Sequence, residues 1–237
     1  HPMEKRAALK DYPPYPWTCW DCRDFQGIEI WNQLSEWMER LTRWNKLYRF
    51  IHPLKTTIAP PPELLQKWDE LNLERKIVGT AGVDAHSFEV KLFKLIKVYI
   101  FHYKVMFKSL LNHLLLPEPM PRDDADRAGG MVYQAIRDAR LFFSNRRCGD
   151  ARGFRFYAES NSGSADIGGK ISSGKAIFRV ESPLRCRMKL IHNGRQIYEK
   201  RGRRLEFSAT DPGIYRIEAY RKNRSWVFTN HIRYKSD

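Results

Sequence analysis

The chain has 237 residues, of which 42% are hydrophobic and 29% are charged. This composition excludes a disordered chain, because seven Trp, eleven Tyr and thirteen Phe side chains need a core in which to pack. The longest apolar-leaning stretch, 92–116, is interrupted by Lys, His and Asn residues, so we predict no membrane-spanning helix.

Charge is distributed unevenly along the chain. Lys and Arg number 42 against 27 Asp and Glu, a net charge of +15. Residues 1–130 hold 19 basic and 17 acidic side chains, a net of +2, whereas 131–237 hold 23 and 10, a net of +13. This asymmetry indicates two units with different surfaces. The basic surface of the second unit is either an ordinary solvated face or a face that attracts an anionic partner.

The first half of the chain alternates predicted strands and helices. Pro13, Pro14 and Pro16 exclude a helix nearby, so 2–26 is predicted to be a long loop. The predicted elements that follow are a strand at 27–31, a helix at 33–51, a helix from Pro60 to about Glu74, a strand at 77–80, an extended stretch at 90–101 and a helix near 103–116. A strand–helix–strand order is typical of an α/β unit.

The second half has a different periodicity. The proline-rich segment 117–124 is the clearest break in the chain, and 129–140 follows it as a predicted helix. From residue 153 onward apolar residues alternate with polar ones, and turn residues recur at 193–194, 201–202 and 211–213. Short strands at this spacing predict an antiparallel β-sandwich. We therefore predict a boundary between 1–140 and 141–237.

Asp84-Ala85-His86 carries the strongest chemical signal in the sequence. It follows a short apolar strand, and in an extended Asp-x-His both side chains point to the same side. A carboxylate and an imidazole so placed can bind a metal ion, with Gly79 and Gly82 allowing close backbone approach. The alternative is an ordinary hydrogen-bonded loop. His1, held by Pro2, is a second candidate ligand, unless it is a remnant of the expression sequence.

Four cysteines are present. Cys19 and Cys22 have the spacing of a redox or zinc motif, but no second such pair follows. Reduced thiols are the simpler interpretation. They favour a cytoplasmic location, and secretion stays open because a signal would lie upstream of His1.

Three segments resemble the later motifs of one enzyme family. His1-Pro2-Met3, 27–32 (GIEIWN) and 79–86 (GTAGVDAH) occur in the order and at the spacing seen in the PHP (polymerase and histidinol phosphatase) family. The tail segments 151–154 and 213–230 are similar to the β-rich C-terminal module of stand-alone PHP metallohydrolases, including CehA/McbA-like members. The resemblance covers essentially the whole chain.

This resemblance implies a fold and a site. The implied fold class is α+β and multi-domain: the C-terminal part of a distorted β/α barrel in 1–140, followed by a basic, immunoglobulin-like antiparallel β-sandwich in 141–237. His1, Asp84 and His86 match metal ligands, and Glu29 and Asn32 match a strand that shapes the site. The cofactors would be divalent metal ions (Zn, Mn or Fe) that activate water, and the substrate a small phosphorylated or carbamate- or amide-like compound.

Two functions follow as alternatives. In the family, the other metal ligands precede the His-Pro motif, so the chain is either the C-terminal part of a metal-dependent, phosphoesterase-like hydrolase or a non-catalytic binding module. In the second case the basic β-sandwich would hold an anionic partner. Specific nucleic-acid recognition is not predicted, because the aromatic side chains available for stacking fall on core positions. These aromatic residues are Phe154, Phe156, Phe178, Tyr215 and Trp226.

Overall fold

The computed structural model describes residues 1–5, 13–92, 96–172 and 174–235. The helices are α1 Gln33–Glu39, α2 Lys46–Ile51, α3 Pro62–Glu74, α4 Tyr103–Met106 and α5 Ala125–Arg137. The strands are β1 Gly27–Asn32, β2 Val78–Gly82, β3 Phe88–Leu92, β4 Ile96–Ile100, β5 Leu110–Leu114, β6 Leu141–Asn145, β7 Arg155–Ser160, β8 Gly163–Asp166, β9 Lys170–Ser172, β10 Ala176–His192, β11 Arg195–Ala209, β12 Gly213–Arg221, β13 Arg224–Thr229 and β14 Ile232–Lys235. Within these ranges no helix has the length and apolar character needed to cross a membrane.

The first elements form a parallel β–α–β unit. β1 and β2 pair in parallel, and α1, α2 and α3 lie between them in the chain, so the predicted strand–helix–strand order is confirmed. Trp68 of α3 is fully buried against β2. A Cβ at Gly79 would lie only 2.3 Å from the Trp68 ring. Gly79 therefore allows the close approach of helix and strand. The backbone approach to a metal site expected of Gly79 stays a prediction.

The predicted single helix at 33–51 is wrong in its middle. The segment forms two short helices, α1 and α2, separated by a turn. In that turn the Asn45 side chain accepts a hydrogen bond from Thr42 N at 2.8 Å. Such local bonds compete with a continuous helix. Trp44 and Leu47 are consequently 83% and 74% exposed rather than buried on one helical face.

The predicted helix near 103–116 is wrong beyond its first turn. α4 ends at Met106, and β5 follows and pairs antiparallel with β6. The leucines that suggested a helical face instead belong to a strand, because pairing with β6 satisfies the β5 backbone. The predicted extended stretch at 90–101 contains parts of the antiparallel β3–β4 hairpin, and its residues 93–95 lie outside the described ranges. Residues 6–12 of the predicted loop lie outside them as well.

Ten strands form one curled and mostly antiparallel sheet. Its order is β5-β6-β13-β12-β10-β7-β8, with β11 paired to β10, β14 to β12 and β9 to β14. β10 changes partners along its length, from β7 at 177–181 to β12 at 187–192. Pro183 lies at this change, where a residue without an N–H fits. The antiparallel β structure predicted for the second half is confirmed.

Two of the three predicted turns are present. Asn193 and Gly194 join β10 to β11 with φ angles of 48° and 80°, which are the values that a tight hairpin turn requires. A second turn at 211–213 leads from β11 into β12. The predicted turn at 201–202 is wrong, since Gly202 pairs with Cys186 inside the long β11 strand.

Two of the hydrophobic clusters among the described residues hold these layers together. The first joins the β–α–β unit to the curled sheet, and its buried members are Ile28, Ile30, Trp31, Leu64, Trp68, Ile77, Ala81, Leu110, Phe143 and Phe228. The second fills the curled sheet. All five aromatic residues that the sequence assigned to core positions belong to it: Phe154, Phe156, Phe178, Tyr215 and Trp226.

Asparagine side chains pair with the edge of β2 that faces away from β1. Asn230 donates to Gly79 O at 2.9 Å and accepts from Gly79 N at 2.8 Å. Asn112 makes the same pair of bonds with Ala81, at 2.7 and 3.0 Å. Because an unpaired buried backbone group is costly, these amides take the place of a neighbouring strand. The β–α–β unit is thereby attached to β5 and to the end of β13.

Candidate functional site

The candidate site residues collect at one edge of the β–α–β unit. Since β1 and β2 run parallel, their carboxyl ends meet, and Asn32 pairs with Gly82. Glu29 lies three residues before the end of β1, and Asp84 follows β2 by two residues. Functional side chains gather at this edge in open α/β sheets. The placement of Asp84 just after a short strand is confirmed, and its role as a ligand stays a prediction.

Glu29 is held in a fixed position by its neighbours. Asn32 Nδ2 donates to Glu29 Oε2 at 2.9 Å, while Asn32 Oδ1 accepts from Ser35 N and caps α1. The other carboxylate oxygen lies over Gly82, where a Cβ would stand 1.9 Å away. The absence of a side chain at Gly82 therefore leaves room for the Glu29 carboxylate, and the backbone approach to a metal site expected there stays a prediction. Asn32 links the start of α1 to the orientation of the Glu29 carboxylate.

The surroundings of Glu29 disfavour its charged form. Burial raises the pKa of Glu29 above its ordinary value, and the nearby carboxylates of Asp84 and Glu4 raise it further. The hydrogen bond from Asn32 acts in the opposite direction. A carboxyl group in this setting is suited to carrying a proton or to facing a cation.

Asp84 and His86 meet beside this edge. His86 Nδ1 lies 3.3 Å from Asp84 Oδ1 and 2.9 Å from the Asp84 carbonyl oxygen. The two side chains come together as predicted, but the backbone differs from the extended form that was expected. Asp84 has a φ of 48°, in the left-handed region that Asp tolerates better than most residues.

His1 lies where two hollows meet. One, of about 310 Å³, is shared with Glu29, and the other, of about 210 Å³, is shared with Asn32. Within the described ranges, His1 Nδ1 is buried without a hydrogen-bond partner. The larger hollow has an aromatic wall that the sequence did not reveal, because it comes from the loop before β1. This wall consists of Tyr15, Trp17, Trp20 and Phe25.

These residues fit part of a metal centre. The Asp84 carboxylate and the His86 ring lie side by side, with Asp84 Oδ1 and His86 Nδ1 3.3 Å apart. Because Nδ1 donates to the Asp84 carbonyl oxygen, the ring would bind an ion through its other nitrogen, Nε2. In the part of the chain that the structure describes, no three His, Cys, Asp or Glu side chains are grouped so that they could hold a metal. The described residues thus supply a pair of ligands rather than a complete set. Metal binding by His1, Asp84 and His86 stays a prediction.

A buried ionic network lies on the other side of α3. Arg216 of β12 donates to both Asp69 oxygens, at 2.6 and 2.7 Å, and to Glu218 Oε1 at 2.7 Å. His231 Nε2 lies 2.7 Å from Asp69 Oδ1. A hollow of about 590 Å³ opens beside this network, between α3 and the β10–β11 turn. Sequence spacing gave no sign of the network, because its members are far apart in the chain.

The network fixes the protonation states of its members. The pKa of Asp69 lies well below its ordinary value, because the Arg216 charge and the hydrogen bonds that Asp69 accepts outweigh its burial. Burial lowers the pKa of His231. A neutral His231 therefore donates through Nε2 to Asp69, which explains why its Nδ1 is buried without a described partner.

Comparisons of the chain with protein-family models, with curated proteins and with solved structures find no match.

Proposed function

We propose that the chain is the C-terminal part of a PHP-type metal-dependent hydrolase. In this proposal 1–140 contributes the last part of a distorted β/α barrel, and 141–237 forms an immunoglobulin-like sandwich attached to it. The observation that carries the proposal is the parallel β1–β2 pair. This pair brings the motifs at 27–32 and 79–86 to one carboxyl edge, and His1 lies beside them in the hollow that it shares with Glu29.

The side chains at this edge have properties that support such a role. Asp84 and His86 place a carboxylate and an imidazole ring side by side at this edge, and both are groups that bind divalent metals. Glu29 is oriented by Asn32 and favours a nearby cation because its carboxylate is partly desolvated. A bound divalent ion would supply water activated near neutral pH. The remaining ligands would come from the part of the family's fold that precedes the His-Pro motif.

The hollow beside His1 and Glu29 supports a class of substrate. Its aromatic wall can receive an apolar part of a small molecule, while the carboxyl edge would face the bond to be cleaved. The resemblance implies hydrolysis of phosphoesters or of carbamate- or amide-like bonds. Aryl phosphates and aryl carbamates combine an apolar group with such a bond, so they are the first compounds to test.

The test is a hydrolase assay on the natural full-length polypeptide. p-Nitrophenyl phosphate and a p-nitrophenyl carbamate are supplied with Zn²⁺, Mn²⁺ or Fe²⁺, and then with a chelator. We expect metal-dependent release of nitrophenol that falls about 100-fold or more in Asp84→Asn and in His86→Gln. Glu89→Gln, which changes an exposed carboxylate on the neighbouring β3 strand, should keep the activity. Equal activity in all three variants would contradict the proposal.

A further inference from the structure

A compact basic hollow lies on the outer face of the curled sheet, far along the chain from the candidate hydrolase site. It encloses about 270 Å³, and none of its lining residues is acidic. We call it the basic hollow. Its lining residues are Arg185, Cys186, Arg187, Arg201, Tyr220, Arg221, Lys222 and Asn223.

Strand register places two of these arginines in directly opposed positions. Arg187 of β10 is opposite Arg201 of β11 on one side and opposite Tyr220 of β12 on the other. Like charges in directly opposed positions destabilise a sheet. An anion bound between the two guanidinium groups would remove this repulsion.

Arg221 and Arg187 of the basic hollow make contacts with uncharged groups. Arg221 donates through Nε to the Arg185 carbonyl oxygen at 3.1 Å and through Nη1 to the Cys148 carbonyl oxygen. The Arg187 guanidinium lies 4.8 Å from the centre of the Tyr220 ring. These contacts orient the side chains without neutralising their charge, so little ordering is required when an anion binds.

Few carboxylates compensate the charge. Within the described ranges, Glu199 lies 3.8 Å from Arg187 and is the acidic side chain that forms an ion pair with this cluster. In the same ranges, Arg185, Arg201 and Lys222 form no ion pair within 4.0 Å. Such a concentration of uncompensated charge raises the local concentration of anions.

Acidic residues lie on both sides of the basic hollow in the direction of the strands. One row further along the sheet, Lys189 is flanked by Glu199 on β11 and Glu218 on β12. In the other direction, Glu181 of β10 is opposite Arg204. An extended polyanion that followed β10 would meet these carboxylates, whereas a compact anion would not.

We propose that the basic hollow binds a compact, multiply charged oxyanion, namely a phosphate or diphosphate group carried by a small molecule. Guanidinium groups match the geometry of phosphate oxygens. The volume of about 270 Å³ is just below the range of sites for drug-sized ligands. It therefore suits one or two phosphate groups better than a larger ligand.

The experiment is calorimetric titration with inorganic pyrophosphate at low salt. We expect saturable binding that weakens as sodium chloride is added. Arg201→Gln should raise the Kd about tenfold, because it removes one charge-assisted interaction. Arg204→Gln is the matched control: it lies on the same strand, is exposed, and is opposite Glu181 outside the basic hollow. It should leave the Kd within about twofold of the wild-type value.

Two results would overturn the proposal. One is an equal loss of affinity in Arg201→Gln and Arg204→Gln, which would mean that pyrophosphate binding depends only on the net charge of the protein. The other is binding of a duplex oligonucleotide or of anionic lipid vesicles that is tighter than pyrophosphate binding and depends equally on Arg201. Thermal unfolding of both variants without ligand shows whether each one folds. If Arg201→Gln does not fold, Arg185→Gln replaces it with the same expected loss.

Discussion

The buried contact between Asp69 and Arg216 should be a main source of stability where α3 meets the curled sheet. Both side chains are about 2% exposed, and two hydrogen bonds of 2.6 and 2.7 Å join them. Asp69→Asn keeps the size of the side chain but removes its charge. Among the described residues, Arg216 would then keep Glu218 as its anionic partner, and it is only about 2% exposed.

The expected loss follows from breaking a buried ion pair. Removing one partner of such a pair costs about 3–5 kcal/mol, because the remaining charge stays buried. Total stabilities of domains are about 5–15 kcal/mol, so the loss should be plain in urea unfolding followed by Trp fluorescence. Glu118→Gln is the control. It breaks an exposed pair with Arg127, which is worth about 1 kcal/mol or less.

The comparison of Asp69→Asn with Glu118→Gln decides whether this reasoning holds. We expect a large drop in the urea midpoint for Asp69→Asn and a small one for Glu118→Gln. Similar small losses in both variants would mean that the Arg216 network does not hold α3 on the sheet. The neutral state assigned to His231 would then also need another explanation.

Three further predictions concern neighbouring residues. Asn230→Ala leaves the edge of β2 without two hydrogen bonds and should lower the unfolding free energy by about 2–4 kcal/mol, measured by urea unfolding. Gly79→Ala should lower the melting temperature, because its Cβ would enter the Trp68 ring, whereas Gly130→Ala, with open space inside α5, should raise it. Burial raises the folded pKa of Glu29, so its stabilising contribution is present below about pH 4.3 and is lost as the pH rises through the folded pKa. The stability of the wild type relative to Glu29→Gln should therefore fall over that window, and a rise would contradict the assignment.

Much of the secondary structure was predictable because local patterns decide it. The β1 and β2 strands, α3 and the Asn193-Gly194 hairpin follow from apolar runs, proline and turn chemistry that act within a few residues. The apolar spacing of the sequence did not predict the break between α1 and α2, because a different local interaction causes it. A side-chain hydrogen bond from Thr42 N to Asn45 overrode a pattern of apolar spacing that favoured one helix.

The features that the sequence did not predict depend on contacts between residues far apart in the chain. β5 has apolar spacing that also fits a helix, and only its pairing with β6 makes it a strand. The contacts of Asp69 with Arg216 span 147 positions in the chain, so no spacing rule finds them. The placement of Asp84 was predictable, because it depends on the end of one strand. The aromatic wall near His1 was not, because a loop brings it there.

Metal content tests the central proposal most directly. The natural full-length polypeptide, purified without chelators, is analysed for Zn, Mn and Fe per chain, together with Asp84→Ala, His86→Ala and the control Glu89→Gln. Circular dichroism confirms that each variant is folded. We predict bound divalent metal in the wild type and in Glu89→Gln, and its loss from both Asp84→Ala and His86→Ala. Unchanged metal in those two variants, or a folded wild-type protein that binds none of these metals, would contradict the assignment of this edge as a metal-dependent hydrolase site.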